Sequence, residues 1–395
     1  MTAGTQVVGL EDLLSVSTLA QDVPATVELP RVWKPAGDEG QAATIIALIP
    51  AHNEETSIAA TVASILAQDL KPDRILVICD NCTDDTEAVA RKAGAETYVT
   101  VDNHEMKAGA LNQALDVILP GLSDDDLVLV IDADTLISAN FIHEAAAQFR
   151  QNRRYGGLSG VYAGKPGGGL VGWCQRNEFA RWGFDSRQQF GKSICLSGAA
   201  SIFTVRALRR VSAARAAGRI KGGPAVYNTG NFTEDFELSQ ALLHTGSQIR
   251  NLLTVSIETA VKPTWTTLHV QRRRWNRGIT ETLCAFGWTR HTWQMWVRWL
   301  VYTCSIATIP LSLFLISERL ASGEGFRLND WMALWLGVMA VVMVHKAITV
   351  SRTRGAAAAL AAFVLLVELP YDTFLHLTFA RSLLEVVTGK TKQWR

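Results

Sequence analysis

Apolar runs alternate with helix-spaced apolar positions through the first third of the chain. Four runs that read as strands cover residues 45–49, 74–79, 97–101 and 127–131. Between them, residues 56–68, 84–93 and 107–119 repeat their apolar positions at the spacing of a helix. Continuous apolar strands separated by helices are typical of a parallel sheet that is covered on both faces. We therefore predict an α/β fold with a Rossmann-like, mostly parallel sheet.

The pattern is less regular after residue 155. Glycines are frequent over 156–169, which predicts a turn or loop. Residues 170–192 have helix spacing, and 193–203 predict a strand of small residues. Residues 235–244 predict a helix capped by Thr233, with acids in its first turn. Residues 1–40 mix leucines with prolines and predict a tail that would lie at a membrane interface or on the domain surface.

Three long apolar runs occupy the C-terminal part of the chain, over 297–317, 331–350 and 356–380. Each is close to the roughly 20 residues that a helix needs to cross a bilayer. The sequence therefore predicts a transmembrane region over 297–395 with three helices. Tryptophans over 281–296 predict an amphipathic interfacial segment before it.

The orientation of this region follows from its flanking charges. Arginines cluster just before the first apolar run, and such clusters tend to stay on the cytoplasmic side. The first 40 residues contain no apolar stretch long enough for a signal peptide. We therefore expect a multi-pass integral protein of the cell membrane, in contact with membrane lipid, whose preceding domain is cytoplasmic.

The third apolar run is interrupted by Glu368, Pro370 and Asp372. Charges at membrane depth usually face a protein interior. Either this segment crosses with its acids packed against other helices, or it breaks at Pro370 and returns. We expect it to cross, with a second copy in a homo-oligomer, or another subunit, shielding the acids.

Composition bears on two possible functions, nucleic acid binding and zinc or redox chemistry. The 395 residues carry a formal net charge of +1, so bulk charge gives no reason to expect a nucleic acid partner. Cys79 and Cys82 have the C-x-x-C spacing of a zinc or redox site, but no second pair lies nearby to complete four ligands. Buried, reduced thiols fit the six cysteines better.

Acidic side chains follow the predicted strands, where parallel sheets bind their ligands. Glu54, Asp80 and the pair Asp132 and Asp134 all lie just past strand ends. The pair could contact a nucleotide ribose and a divalent metal such as Mn²⁺ or Mg²⁺. A solvated turn is the alternative for Asp132 and Asp134.

Two later motifs add further chemistry. Glu234 and Asp235 begin a helix, where a carboxylate could act as a base or could simply complement the helix dipole. Residues 271–275 place three arginines beside Trp275. Arginine forks suit phosphate oxygens and an indole face suits a sugar ring. A topology signal and an anionic-lipid patch are the alternatives.

These motifs, taken in order, resemble those of the family-2 inverting glycosyltransferases of GT-A fold. The resemblance is to the membrane-integrated branch that contains cellulose, chitin, hyaluronan and poly-N-acetylglucosamine synthases, and it covers about residues 45–275. The motifs are Pro50-Ala51-His52-Asn53-Glu54, the loop 80–84, Lys107 to Asn112, Asp132-x-Asp134, Thr233-Glu234-Asp235 and Gln271-x-x-Arg274-Trp275. A GT-A catalytic domain is therefore expected over 41–280.

The resemblance implies a role for each matching residue. Asp80 would contact the nucleobase, Asp132 the donor, and Asp134 the metal. Asp235 would be the general base, with Glu234 beside it. The remaining donor-binding positions would be Pro50, Ala51, Asn53, Glu54, Lys107, Asn112, Gln271, Arg274 and Trp275, the last three also gripping the acceptor end.

The function expected from this resemblance is metal-dependent transfer of a sugar, with inversion, from a nucleoside diphosphate sugar to a glycan acceptor. A UDP-sugar is favoured as the donor, and processive and single transfer both remain open. The alternatives are a non-processive transferase acting on a lipid or surface protein, and a sugar-nucleotide-binding membrane subunit without turnover.

Overall fold

The computed structural model describes residues 43–323, 330–355 and 365–389. Its strands are β1 (Ile45–Ala51), β2 (Arg74–Cys79), β3 (Glu96–Val99), β4 (Leu127–Ile131), β5 (Leu136–Ile137), β6 (Tyr155–Gly164), β7 (Ala200–Thr204) and β8 (Gln248–Thr259). The helices of the sheet domain are α1 (Ile58–Leu66), α2 (Thr86–Lys92), α3 (Met106–Ile118), α4 (Phe141–Gln151), α5 (Gly169–Gln188), α6 (Val205–Ala216), α7 (Glu234–His244) and α8 (Trp265–Phe286). Three longer helices follow, α9 (Trp293–Ala321), α10 (Asp330–Arg354) and α11 (Leu365–Val387).

The strands of the described residues form one mixed sheet in the order β3-β2-β1-β4-β7-β6-β8-β5. The first four strands of this order are parallel, and β7 runs antiparallel to both β4 and β6. Alternate residues of β1 enter opposite cores, with Ile45 and Ile49 on one face and Ile46 and Leu48 on the other. The sheet is therefore buried on both faces, as its uninterrupted apolar strands require.

The predicted parallel half of the sheet is confirmed. The runs over 45–49, 74–79 and 127–131 lie within β1, β2 and β4, and 97–101 overlaps β3. Helices α1, α2 and α3 lie over the three stretches with helix spacing. The predicted helices over 170–192 and 235–244 correspond to α5 and α7.

The loop expected over 156–169 is wrong for most of its length, because β6 runs through it to Gly164. Its glycines serve close packing instead of a turn. A Cβ on Gly157 would lie 2.5 Å from Leu196 Cδ1, and one on Gly156 would lie 2.6 Å from Ser247 Cβ. Only the glycines from 167 to 169 have the positive φ angles of a turn.

The C-terminal region corrects a second expectation. In the ranges that the structure describes, no helix combines the length and the apolar character needed to cross a membrane. The prediction of a multi-pass integral membrane protein is therefore wrong. Residues 1–40, 324–329 and 356–364, on which parts of that prediction fall, lie outside the described residues.

The polar side chains of α11 give the clearest physical reason why the membrane prediction failed. They pack on the sheet domain. Glu368 is 2% exposed. It accepts a hydrogen bond from Asn177 at 3.0 Å and forms an ion pair with Arg181 at 3.1 Å, both from α5. Lys346 of α10 forms ion pairs with Glu368 and with Asp372.

Two of the tryptophans expected to anchor a membrane interface form hydrogen bonds within the protein. Trp299 Nε1 donates to Thr280 Oγ1 at 2.8 Å, and Trp296 Nε1 donates to the Gly287 carbonyl at 3.1 Å. Both rings pack in a cluster with Leu283 and with Phe236 of α7. The segment 281–296, which spans the end of α8 and the start of α9, therefore packs against the sheet domain.

Replacing Glu368 by alanine should lower the free energy of unfolding by about 3 kcal/mol, because Arg181, whose side chain is 13% exposed, would keep a largely buried charge without its partner. Urea unfolding of the full chain measures this change. The exposed Glu318→Ala on α9 is the control and should shift stability by less than about 0.5 kcal/mol. Equal effects of the two substitutions would contradict a stabilising role for the network of Glu368.

Candidate active site

A cavity of about 610 Å³ lies at the carboxyl ends of the parallel strands, where α3, α7 and α8 complete its walls. Most of the residues predicted for the site line it. They are Pro50, Ala51, Glu54, Asp80, Lys107, Asp132, Glu234, Asp235, Gln271, Arg274 and Trp275. The fold thus brings together segments that are more than 200 residues apart in the sequence.

Asp80 is held at one end of this cavity by a group of donors. Thr100 Oγ1 and Asn103 Nδ2 each donate to its Oδ1 at 2.8 Å, and Asn81 Nδ2 donates at 3.1 Å. All three bonds go to the same oxygen, and no donor to Oδ2 is found within the described residues, so Oδ2 can accept from a ligand. Such a fixed acceptor suits the N–H group of a nucleobase.

The cavity wall contains a cation, Lys107, that lies between two carboxylates. Lys107 Nζ donates to Asp132 Oδ1 at 2.5 Å and to the Gly198 carbonyl at 3.0 Å, and it lies 3.3 Å from Glu234 Oε1. Burial lowers the pKa of Lys107, but Asp132 and Glu234 outweigh burial and the net shift is upward. The lysine is therefore a permanent positive charge that links α3 to β4 and α7.

Glu234 and Asp235 have opposite pKa shifts although they are neighbours. Burial works against the charged form of Glu234, but Lys107 and Arg274 outweigh it and lower its pKa. Burial, and then the negative charge of Glu234, raise the pKa of Asp235 to about 6. Neighbouring carboxylates with separated pKa values are typical of sites where one acid performs proton transfer.

Two glycines that the sequence analysis did not single out make room for this acidic turn. A Cβ on Gly198 would lie 2.6 Å from Asp235 Oδ2, and a Cβ on Gly278 would lie 2.5 Å from Thr233 Oγ1. Asn231 adds a fixed link, since its Oδ1 accepts from Thr233 N at 2.8 Å while its Nδ2 donates to Thr282 Oγ1 at 2.9 Å. In the sequence, only the run of small residues around Gly198 indicates that the acidic turn could approach so closely.

Helix α8 turns one face to the cavity. Gln271, Arg274 and Trp275 are spaced i, i+3 and i+4 and all line it. The other two arginines of the motif have partners elsewhere. Arg272 pairs with Glu178 at 2.7 Å, and Arg273 lies 3.4 Å from Glu385 of α11.

The ring of Trp275 rests on a cationic and aromatic support. The Arg272 guanidinium carbon lies 4.2 Å from the centroid of Trp275 and 5.5 Å from that of Trp182. Tyr162 and Phe179, whose centroids are 5.6 Å apart, also line the cavity and were missed by the sequence analysis. Their position depends on packing between β6 and α5, for which the sequence gives no local signal.

Two predicted donor-binding residues lie outside the cavity wall. Asn112 forms a reciprocal pair with Tyr227, donating to its carbonyl and accepting from its N–H, each at 2.9 Å. Asn53 accepts from Thr83 N at 2.7 Å and has a φ of 56°. The side chain of Asn112 therefore fixes the chain at Tyr227, and that of Asn53 fixes the loop at Thr83.

The predicted metal residue, Asp134, also lies outside the cavity wall, two residues beyond Asp132, in a turn whose carbonyls accept hydrogen bonds from two side chains. Thr61 Oγ1 donates to the Ala133 carbonyl at 2.7 Å, and Lys165 Nζ donates to the Asp134 carbonyl at 2.6 Å. Within the described ranges, no three His, Cys, Asp or Glu side chains form a metal-binding group. Mg²⁺ in nucleotide sites usually takes only one or two carboxylates and completes its shell with phosphates and water, so the oxygens of Asp132 and Asp134 fit such an ion.

The fold and the family follow from comparison with known proteins. The mannosyltransferase PcManGT from Pyrobaculum calidifontis, solved with GDP-Man and Mn²⁺, matches with a TM-score of 0.55, over 84% of this chain and 89% of that one. At 16% identity this similarity shows the fold, which is the GT-A fold of glycosyltransferases. Residues 42–278 match the family model described as glycosyltransferase like family 2. The chain therefore belongs to this glycosyltransferase family.

Curated relatives agree over part of their length. A poly-β-1,6-N-acetyl-D-glucosamine synthase of Staphylococcus aureus is 26% identical over 242 residues, which cover 60% of this chain and 54% of the relative. The synthase of the same name from Staphylococcus epidermidis is 24% identical over 282 residues, covering 70% and 60%. The chain thus spans little more than half the length of these relatives.

Replacing Asp235 by asparagine should raise the melting temperature at pH 8 and leave it unchanged near pH 4. A carboxyl whose pKa is raised to about 6 in the folded state opposes folding once it is charged. That penalty grows from about pH 4 and is complete above pH 6. Thermal unfolding followed by circular dichroism across this range measures it, and a difference that is the same at every pH would contradict the shift.

Proposed function

We propose that this glycosyltransferase moves a sugar from a nucleoside diphosphate sugar to an acceptor hydroxyl, with inversion at the anomeric carbon. One observation carries the proposal. The carboxyl of Asp235, with its pKa raised to about 6, lines the same cavity as the cations Lys107 and Arg274. A base of this pKa is mostly charged at neutral pH and can still take a proton from a hydroxyl as the new bond forms.

The donor would lie across the strand ends. Asp80, with one oxygen left to accept, would receive a nucleobase N–H group, and Lys107 and Arg274 would neutralise the diphosphate. Asp132 would contact the donor beside Lys107. We propose a UDP-sugar as this donor, and GDP-mannose, present in the mannosyltransferase of similar fold, is the competing candidate.

A divalent ion, Mn²⁺ or Mg²⁺, fits this proposal. Asp134 would hold it, with Asp132 adjacent and the donor phosphates completing the shell. When bound, such an ion would supply Lewis-acid stabilisation of the departing diphosphate. Lys107 and Arg274 act on the same negative charge from the protein side.

We propose a glycan as the acceptor. The relatives named above are synthases of a poly-N-acetylglucosamine, and Trp275 lines the same cavity as Asp235. A sugar ring can stack on such a face while its hydroxyl approaches the base. The chain covers only part of those relatives, so the choice of acceptor rests on the presence of Trp275 in the cavity wall.

The test is incubation of the purified full chain with Mn²⁺ or Mg²⁺ and a panel of UDP- and GDP-sugars, with and without short glycans. Nucleotide release that increases with a glycan, and a product of inverted anomeric configuration by NMR, are expected. Absence of release with every donor, or a retained configuration, would overturn the proposal.

Asp235→Asn should reduce turnover by about 100-fold or more, since it removes the base and preserves the shape of the side chain. Donor affinity, measured by calorimetry with UDP and Mg²⁺, should persist. Asp134→Ala is the matched comparison and should weaken metal-dependent nucleotide binding as well as turnover. A collapse of donor affinity in Asp235→Asn would show that Asp235 binds the donor instead.

Arg274→Lys should impair transfer far more than Arg273→Lys. The first substitution removes a planar fork from the cavity, whereas Arg273 lies against Glu385. Arg273 is the better control because Arg272 is 4% exposed and its substitution would also disturb packing. Steady-state kinetics of the two variants decide the point, and equal losses would favour a general basic surface.

A further inference from the structure

A second cavity, of about 360 Å³, lies next to the candidate active site and has no part in the function proposed above. Residues of β6, α5 and β8 form most of its wall, and Arg354 of α10 completes it. Tyr162 and Phe179 line both cavities. This pair of rings therefore separates the second cavity from the one that contains Asp235.

An irregularity in the sheet creates this space. Between the pairs Ser159–Asn251 and Val161–Ser256, β8 advances five residues while β6 advances two. The extra residues of β8 leave the ladder and form one wall of the cavity. Bulges of this kind are common next to functional sites.

Glycine permits the opposite wall to come close. A Cβ on Gly183 of α5 would lie 2.7 Å from Val161 Cγ1, so a larger residue would push α5 away from β6. The cavity is therefore set by the backbones of the sheet and α5, and its volume is within the usual range of small-molecule sites.

The charged side chains that line this cavity are arginines. Arg176, Arg187 and Arg354 line it, and none of the described residues in its wall is acidic. Arg176 Nη1 donates to the Gly167 carbonyl at 2.6 Å, and Arg354 Nη1 donates to the Trp173 carbonyl at 3.2 Å. Arg187 is exposed, and its side chain has no hydrogen-bond or ion-pair partner among the described residues.

Arg176 and Arg354 are close enough to repel each other. The pKa of Arg354 is lowered, first by burial and then by the like charge of Arg176. Half-buried cations without a carboxylate partner are costly, because the cavity walls replace part of their water shell. An anion bound between them would remove this cost.

We propose that the second cavity binds an anionic oxygen group, a phosphate or a carboxylate, beside the transfer site. Arginine forks on two helices, α5 and α10, surround the space that such a group would fill, and polar backbone of β6 and β8 completes it. The group belongs either to the acceptor or to a free anion that acts as an effector. The first assignment rests on the proposed transfer function, whereas anion binding itself does not.

The probe is inorganic phosphate, titrated by calorimetry into the full chain with UDP and Mg²⁺ present. We expect Arg187→Gln to weaken phosphate binding by about fivefold or more, the usual effect of losing one partly exposed charge contact. Arg187→Lys should retain most of the affinity. Arg219→Gln, an exposed arginine outside both cavities, should bind phosphate like the unmodified chain.

Arg274→Gln separates the two cavities, since it changes the candidate active site alone. Phosphate binding that is lost with Arg274 and kept with Arg187→Gln would overturn the proposal, as would the absence of binding at millimolar phosphate. Neither result depends on turnover, so a failure of the transfer function would be recognised separately.

Kinetics distinguish the two sources of the anion once a donor and an acceptor are known. Phosphate that competes with the acceptor, and Arg187→Gln that raises only the acceptor KM, would identify an anionic acceptor. Phosphate that changes kcat without changing the acceptor KM would identify a free effector. If phosphate has no effect on the kinetics that Arg187→Gln abolishes, the second cavity does not influence transfer, and a site that acts on the reaction is contradicted.

Discussion

The arrangement of the candidate active site depends on the position of one ammonium group. Lys107 Nζ lies within 3.3 Å of both Asp132 and Glu234, and it also donates to the Gly198 carbonyl. These contacts join α3, the end of β4, the start of β7 and the start of α7. Because Lys107 keeps Glu234 charged, Glu234 can raise the pKa of Asp235. The lysine thus acts on Asp235 in two opposite ways: through Glu234, whose negative charge raises the pKa of Asp235, and by its own positive charge, which lowers that pKa.

Close packing is the second condition for this arrangement. Asp235 can approach the sheet only because residue 198 has no side chain, and α8 can approach the acidic turn only because residue 278 has none. A carboxylate pressed against backbone loses water, and burial is the largest cause of its raised pKa. The chemistry of the acid thus follows from two glycines as much as from its charged neighbours.

Local patterns predicted the parallel half of the sheet and the residues at its strand ends. Continuous apolar runs specify buried strands, and the acids after them are close in space because parallel strands end at one edge. Asn112 is a residue whose contacts this reasoning did not predict. Its motif suggested a place beside the nucleotide, yet its side chain is used by Tyr227, which is 115 residues away. The strand β6 was missed because its glycines have a tertiary role, and the apolar C-terminal runs did not show that Glu368 pairs with Arg181.

The C-terminal helix α11 also supports the wall of the site. Tyr371 is fully buried and donates to Glu178 Oε2 at 2.7 Å, the same oxygen that Arg272 contacts at 2.7 Å. Arg272 in turn lies under the ring of Trp275. A chain of contacts thus runs from α11 through α5 to the cavity, and each member is fixed by the next. Since a buried arginine without its carboxylate would move toward water, Glu178 and Tyr371 help to hold the ring of Trp275 in the wall of the cavity that Asp235 also lines.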